Sequence, residues 1–306
     1  MASFRGGRKC GSLHTRSRII TVIRTFFEGR GFLHLETPCR IPAPAPELHI
    51  DALPSRDWYL QTSPELAMKR LLAAGYDRIF QICRCWRDGE RGRLHLPEFT
   101  LLEWYRADAD YTDLMTDCEE LLRAVTVAIT GGTLLSFQGM EVELAGPAVR
   151  LTVREAFCRY TAMTADEALE RDCFDELMAA EIEPNLGIGA PVILHDYPAA
   201  RGALARRRSD APELAERFEL YLCGVELANA FSELTDPVEQ TERFRLEREE
   251  RSIAGKDPYP IPQPFLDDLA AMPPSAGIAL GIDRLIMLVL DIPIIDDVVA
   301  FTPEEL

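Results

Sequence analysis

The chain has 306 residues, 47% of them hydrophobic and 27% charged, so it is long enough to bury a core without disulfides or structural metals. Its net charge of −17 and pI near 4.8 argue against a protein that grips nucleic acid through a basic face, whereas a small anion held by a few arginines stays compatible. It has no run of about 18 uncharged apolar residues, no CxxC pair and no histidine at metal-ligand spacing. We therefore expect a soluble, cytoplasmic protein with no membrane span, zinc site or disulfide framework.

The first predicted elements are a flexible tail over residues 1–14 and a basic helix that follows it. Apolar residues recur with helical spacing from Ile19 to Phe27, and glycines end the helix before a short strand in FLHLETP. A proline-rich loop comes next. Ser63 then caps a second helix that Gly75 ends, because serine is a good N-cap and proline is tolerated at the first helical position.

The central elements are predicted to form an antiparallel hairpin. Its strands are Arg78–Trp86 and Phe99–Tyr105, joined by a polar, glycine-containing loop. The later elements are a helix near 113–130, a small hairpin in GGTLLSFQGMEVELAG, strands at PVILHDY and RFELYLCG, a helix at 237–254, and a last unit GIALGIDRLIMLVL. VELANAFSELTD is expected to turn toward the helix at 237–254, whose alternating charges indicate a solvated face. We expect one mixed α+β domain over residues 1–306, built on an antiparallel sheet.

The hairpin carries side chains that are unusual for a buried sheet. Residues two apart on a strand share a face, so Phe99, Glu103 and Tyr105 point the same way, toward the side of Arg87 if the partner strand is in register. A buried carboxylate without a partner costs several kcal/mol. Glu103 therefore either pairs with an internal cation such as Arg84 or awaits a cationic ligand, and the strand alone leaves both open.

Two further clusters point to a charged cleft. Glu219, Glu226 and Glu233 are spaced seven apart among apolar residues, and close carboxylates repel unless a divalent cation or a positive substrate group lies among them. Arg284 follows a glycine-containing run at the start of an apolar helix. It is either a buried structural cation or a residue that lies against a nucleotide.

Five segments in order resemble the catalytic domain of class II aminoacyl-tRNA synthetases, specifically the lysyl branch. They are LETP, QTSPELAMKRLL, RCWRDGERGRLHLPEFTLLEWY, RFELYLCGVELANAFSEL and GIALGIDRL. The resemblance implies a six-stranded antiparallel sheet flanked by helices, with ATP and Mg²⁺ as cofactors.

The resemblance also implies roles for individual positions, with Arg87 and Arg284 as the catalytic residues. The positions implied to bind ATP are Arg87 at the α-phosphate, His95 at the outer phosphates, Phe99 and Arg284 on the faces of the adenine, and Glu90 and Glu219. Glu219 and Glu226 are implied to hold Mg²⁺. The positions implied to bind the amino acid are Glu65 at the α-ammonium, Glu103, Tyr105 and Glu233 at the ε-ammonium, Asn229 at the carboxylate end, and Glu226 and Ala279 beside them.

Some positions depart from the lysyl synthetase pattern, and these departures narrow down which branch of the family the chain resembles. Gly89 stands where the family usually has glutamate, so either Glu90 makes that contact or the contact is absent, and Leu96 replaces an asparagine. The catalytic pattern begins within about the first 20 residues, which leaves no room for an anticodon-binding domain. Ala279 stands where tRNA-charging enzymes usually have glycine. These features are similar to the truncated synthetase paralogues that modify elongation factor P and prefer (R)-β-lysine.

We therefore expect a homodimeric ligase that activates lysine or (R)-β-lysine and transfers it to a lysine side chain of elongation factor P, without stable tRNA binding. Two alternatives stay open, a minimal tRNA-charging lysyl synthetase and a non-catalytic synthetase-like regulator. Arginines at four positions form either a docking patch for the acceptor or a solvated loop; they are Arg201, Arg206, Arg207 and Arg208.

Overall fold

The structure is a computed structural model and describes residues 6–202 and 204–306. Its α-helices are α1 (Gly6–Glu28), α2 (Glu65–Ala73), α3 (Tyr111–Thr130), α4 (Val153–Tyr160), α5 (Ala165–Glu170), α6 (Phe174–Leu177), α7 (Pro237–Ile253), α8 (Gln263–Leu269) and α9 (Ile282–Val289). Its strands are β1 (Leu33–His34), β2 (Arg40–Ile41), β3 (Pro54–Ser55), β4 (Trp58–Leu60), β5 (Arg78–Trp86), β6 (Glu98–Ala107), β7 (Leu134–Phe137), β8 (Met140–Glu143), β9 (Val149–Thr152), β10 (Val192–Pro198), β11 (Leu214–Leu222), β12 (Val225–Ser232) and β13 (Ser275–Gly281).

The main sheet has the strand order β1-β5-β6-β13-β12-β11-β10-β9. Its six inner strands are antiparallel, as predicted. The strand count is not six, however, because β1 and β9 add a parallel strand at either edge. These edge strands have only two and four residues, which is short for a recognisable strand pattern.

The prediction of a flexible tail is wrong for residues 6–14, which belong to α1; residues 1–5 lie outside the described part. Lys9 is almost fully buried, and its Nζ lies 2.7 Å from Glu305 Oε2. The Ser12 hydroxyl donates to the carbonyl of Asp297 at 2.7 Å. Contacts with the far end of the chain therefore order this segment, and local sequence patterns do not reveal such contacts.

The segment that follows Cys223 and Gly224 also differs from the prediction. VELANAFS does not turn toward a helix but forms strand β12, which pairs with β11 on one side and β13 on the other. Alanine and asparagine are poor strand formers, so pairing on both edges overrides local propensity here. Helix α7 begins only at Pro237, where the Asp236 carboxylate accepts from two backbone N–H groups.

The sheet separates two layers of packing. On one face, Leu102 and Trp104 of β6 join the main core with residues of α1, α3 and α9. On the other face, Tyr105 joins a smaller core with residues of α2, α7 and α8. The polar residues of β6 thus face a layer in which helices only partly cover the sheet. None of the helices in the described part is both long and apolar enough to cross a membrane.

Candidate active site

The site is built from two rows of residues that lie opposite one another across five strands. The first row is Glu219, Asn229, Ala279, Glu103 and Gln81, on β11, β12, β13, β6 and β5 in turn. The second row is Arg217, Phe231, Gly277, Tyr105 and Ile79. Opposed residues share a face of the sheet. Strand register therefore brings together side chains that are more than a hundred residues apart in sequence.

A cavity opens over these rows and collects most of the predicted site residues. Those that line it are Glu65, Arg87, Glu90, His95, Phe99, Glu103, Tyr105, Glu226, Asn229, Ala279 and Arg284. Glu219 and Glu233 do not line the cavity themselves. Glu219 is connected to the lining residue Asn229 through Arg217, and Glu233 is connected to the lining residue Glu65 through Lys69. The cavity has an end rich in carboxylates, near α2, and an end rich in guanidinium groups, near the β5–β6 loop.

Glu103 lies at the carboxylate-rich end and has 1% of its surface exposed. Its Oε2 accepts from the Tyr105 hydroxyl at 2.7 Å, while its Oε1 is buried without a hydrogen-bond partner. Burial raises the pKa of Glu103 well above its usual range. Pairing with Arg84 is wrong, because the Arg84 guanidinium lies 3.8 Å from Glu98 and is about half exposed. The geometry thus excludes Arg84, the charge of the buried Lys69 acts on Glu103 from nearby, and the unpartnered Oε1 is compatible with a cationic ligand.

Lys69, which the sequence analysis missed, connects two of the predicted binding residues. Its Nζ lies 2.5 Å from Glu65 Oε1 and 2.5 Å from Glu233 Oε2, and 1% of the side chain is exposed. Burial opposes the charge of Lys69, but the two carboxylates outweigh it and raise the lysine pKa. A spacing of four residues is typical of an ordinary helix-surface pair, so the sequence gives no signal that the ion pair of Glu65 and Lys69 is buried. Glu233 Oε1 stays without a hydrogen-bond partner among the described residues.

Gly277 allows Tyr105 and Glu233 to approach each other. A Cβ atom at this position would lie 2.2 Å from the Tyr105 ring and 2.3 Å from Glu233 Oε1. Both distances are far below van der Waals contact, so only glycine fits. Glu103, Tyr105 and Glu233 are therefore neighbours, as the sequence analysis required.

Arg87 lies at the other end, just after β5. Its guanidinium carbon is 5.0 Å from the centroid of the Phe99 ring, and its NH1 is 3.7 Å from Glu90 Oε1. Its Nε is buried and has no hydrogen-bond partner. Glu90 thus lies beside Arg87 in spite of Gly89, and Arg87 keeps donors for an anion in the cavity.

Arg284, in the first turn of α9, ties the β5–β6 loop to β12. Its NH1 donates to the carbonyl of Glu226 at 2.7 Å and lies 3.1 Å from the Glu226 carboxylate. Its NH2 is 2.6 Å from His95 Nε2. Burial, together with the nearby Arg284 charge, lowers the pKa of His95. The imidazole is therefore more easily neutral than an exposed histidine.

The Glu219 carboxylate is held more firmly than Glu226. Its Oε2 accepts from the hydroxyls of Tyr197 and Tyr221, each at 2.6 Å, and its Oε1 accepts from Arg217 at 2.6 Å. Glu226 is 37% exposed and engages only Arg284. Carboxylate oxygens are the ligands that Mg²⁺ prefers, so the donor chemistry fits. The part of the chain that is described contains no group of three or more metal-ligating side chains.

The arginines that could have formed a docking patch are all engaged with carboxylates. Their partners are Asp175 for Arg201, Glu216 for Arg206, Glu239 for Arg207, and Asp196 and Asp210 for Arg208. Such pairs leave little free positive charge. The geometry favours the solvated loop over the patch.

A family model described as tRNA synthetases class II (D, K and N) matches residues 3–305, and the chain belongs to this family. Among curated proteins, the chain is 40% identical over 308 residues to the elongation factor P--(R)-beta-lysine ligase of Salmonella gallinarum, covering 95% of this chain and 94% of that protein. It is 39% identical over 309 residues to the protein of the same name in an Enterobacter species, with the same coverage. The predicted resemblance is thereby confirmed.

Proposed function

We propose that the protein is a ligase that activates lysine, preferentially (R)-β-lysine, with ATP and transfers it to a lysine side chain of elongation factor P. The observation that carries this proposal is that the two ends of the cavity differ in charge. The guanidinium groups of Arg87 and Arg284 lie at one end, and the buried Glu103–Tyr105–Glu233 group lies at the other. Oε1 of Glu103 and Oε1 of Glu233 have no hydrogen-bond partner among the described residues, so both can accept hydrogen bonds from an ammonium group. The acceptor is proposed from the names of the relatives, which describe them as ligases of elongation factor P.

The chemistry is an acyl transfer in two steps, and positioning and electrostatics supply the rate. First, the amino-acid carboxylate attacks the α-phosphorus of ATP, and pyrophosphate leaves. Arg87 donates to the charge that develops on the α-phosphate, and Phe99 and Arg284 hold the adenine. Mg²⁺, held by Glu219 and Glu226 with the phosphates of ATP, would neutralise phosphate charge. In the second step the acceptor amine attacks the acyl carbonyl, AMP leaves, and an amide forms.

Binding of the amino acid uses the buried end of the cavity. Glu103, Tyr105 and Glu233 accept from the terminal ammonium, Glu65 accepts from the ammonium nearer the carboxylate, and Asn229 orients the carboxylate. Ala279 lies in the row between Asn229 and Glu103, so its methyl group borders the substrate carbon chain. A homodimer stays a prediction.

The direct test is mass spectrometry of elongation factor P after incubation with the protein, ATP and either lysine isomer. We expect the acceptor to gain the mass of one lysyl group, faster with (R)-β-lysine, and to gain nothing without ATP. Pyrophosphate exchange run in parallel separates the alternatives. Exchange with acylation of tRNA in place of the factor would support a tRNA-charging enzyme, and absence of exchange with both isomers would support a regulator.

A further inference from the structure

Glu47 lines the cavity beside Glu65 and Arg87, but it belongs to the proline-rich loop before β3 and has no role in the function proposed so far. Neither a hydrogen bond nor an ion pair engages its carboxylate among the described residues. Burial is the main reason that the pKa of Glu47 is raised to about 7; the charges of Glu65 and Glu247 raise it further, and those of Arg87 and Arg217 oppose this. A carboxylate that lines a cavity and has no partner in the protein can accept hydrogen bonds from a ligand.

The backbone of Glu47 is held firmly from behind. Arg251 of α7 is 1% exposed, and its NH1 donates to the carbonyls of Glu47 at 2.7 Å and Ile50 at 3.1 Å. Its NH2 lies 2.8 Å from Asp51 Oδ1. The segment over residues 47–51 is therefore a fixed wall of the cavity. The sequence analysis had assigned this arginine to a solvated face.

The loop is also connected to the catalytic arginine. The carbonyl of Asp51 accepts from the N–H of Asp88 at 2.6 Å, next to Arg87. The Glu47 carboxylate lines the same cavity as Glu65 and Arg87 and lies close enough for the charges of both to shift its pKa. In the proposed function Glu65 binds the inner ammonium and Arg87 the α-phosphate, so Glu47 lies within reach of the reacting end of the amino acid. The distal carboxylates Glu103 and Glu233 lie at the far end of the amino-acid subsite.

We propose that Glu47 binds, together with Glu65, the ammonium group that lies nearer the carboxylate of the amino acid, and that it contributes to the choice between the α and β positions of that group. This inference rests on the proposed function. A second carboxylate in a fixed position restricts where the ammonium group can bind, because the ammonium must then donate hydrogen bonds to two acceptors at once. The lysine isomers differ only in the carbon that carries this group.

The experiment compares wild-type protein with Glu47→Gln by calorimetric binding of three ligands without ATP. Lysine and (R)-β-lysine should bind the variant about tenfold or more weakly, since a charge-assisted hydrogen bond is lost. 6-Aminohexanoic acid keeps the terminal ammonium and lacks the inner one, so it should bind both proteins equally. The affinity of wild-type protein for β-lysine should rise between pH 6 and 8 as Glu47 ionises, and this rise should shrink in the variant.

Glu176→Gln is the matched control, because Glu176 is exposed, lies outside the cavity lining and carries the same charge. It should leave all three affinities unchanged. Equal affinity of wild-type protein and Glu47→Gln for both isomers would overturn the inference, as would an equal loss for 6-aminohexanoic acid, which indicates general damage. If wild-type protein binds neither isomer, the proposed function fails first, and the inference fails with it.

Discussion

The two ends of the cavity are built differently. At the carboxylate-rich end, which is the proposed amino-acid end, Lys69, Glu103 and Glu233 are each at most 1% exposed, and Lys69 joins Glu65 to Glu233 through short ion pairs. At the guanidinium-rich end, which is the proposed nucleotide end, Arg87 is 27% exposed and lies 3.7 Å from the Glu90 carboxylate. Buried charged side chains that form ion pairs with one another are fixed in position before a ligand binds. Partly exposed charged side chains can still move to fit the ligand. The contrast predicts that mutations at the first end damage the fold and selectivity, and at the second end damage only the reaction.

The largest effect is expected for Lys69→Met at the amino-acid end. Methionine keeps most of the volume but leaves the Glu65 and Glu233 carboxylates buried without a cation. Breaking a buried pair in this way costs about 3–5 kcal/mol. Urea unfolding near neutral pH should show this loss, and it should shrink in mild acid, where the carboxylates are protonated.

Lys256→Met is the control for that experiment, because Lys256 also pairs with a carboxylate, Asp51, but is 33% exposed. It should cost about 1 kcal/mol or less. Similar losses for the two lysine variants would show that burial of the Lys69 ion pairs does not make them more important for stability than an exposed pair.

The next effect is expected for Arg87→Ala at the nucleotide end. In the proposed reaction Arg87 donates to the charge that develops on the α-phosphate, and the loss of one such donor typically costs about 10²–10³ in rate. Amino-acid-dependent pyrophosphate exchange should therefore fall by about that factor. The melting temperature should change little, since the only ion pair lost is long and partly exposed. Unfolding of the variant would mean that Arg87 is a structural cation.

A smaller effect is expected for Ala279→Gly on the floor of the amino-acid end. Loss of one methyl group opens space between Asn229 and Glu103, and a misfit of this size is worth about 1–3 kcal/mol. The ratio of kcat/KM for (R)-β-lysine to that for lysine should therefore shift toward lysine. An unchanged ratio would remove Ala279 from the determinants of selectivity.

The smallest effect concerns the pH dependence of stability that Glu47 adds. Its pKa is about 7 in the folded protein, against an ordinary value of 4.5. The folded state therefore holds a proton that the unfolded state releases, so the stability that this group contributes is complete below about pH 4.5 and is lost as pH rises to about 7. The melting temperature of Glu47→Gln relative to wild type should be higher at pH 8 than at pH 5, and a constant difference would contradict this.

Local patterns in the sequence were enough to predict the hairpin of β5 and β6 and the shared face of Phe99, Glu103 and Tyr105, because strand periodicity needs no distant partner. The six inner strands and the family followed from the order of the motifs. Strand β12 was missed, since its alanines and asparagine form a strand only between two neighbours. The sequence analysis also missed that Glu183 lies near Glu219 and Glu226. Burial, with the charges of these two residues, raises the pKa of Glu183 to about 7, and no spacing in the sequence signals this proximity.

Buried cations show most clearly what the sequence could not determine. Arg16 appeared as part of a basic N-terminal helix, yet it lies 2.5 Å from the buried Asp283 carboxylate and donates to the Thr100 hydroxyl. Arg251 likewise belongs to a helix whose alternating charges predicted a solvated face, and for Lys69 the sequence analysis made no prediction. Whether a lysine or arginine is solvated depends on which distant segments pack over it, and a local window does not contain that information.

The sequence by itself therefore determined which groups the site contains: guanidiniums, an aromatic ring and carboxylates, at spacings that strands and turns translate into a common face. Only the tertiary structure decided which of these charges neutralise one another inside the protein and which stay available to a ligand. The physical reason is that the free energy of a charge is set by its solvent exposure and nearest partners, and both are properties of the packed chain.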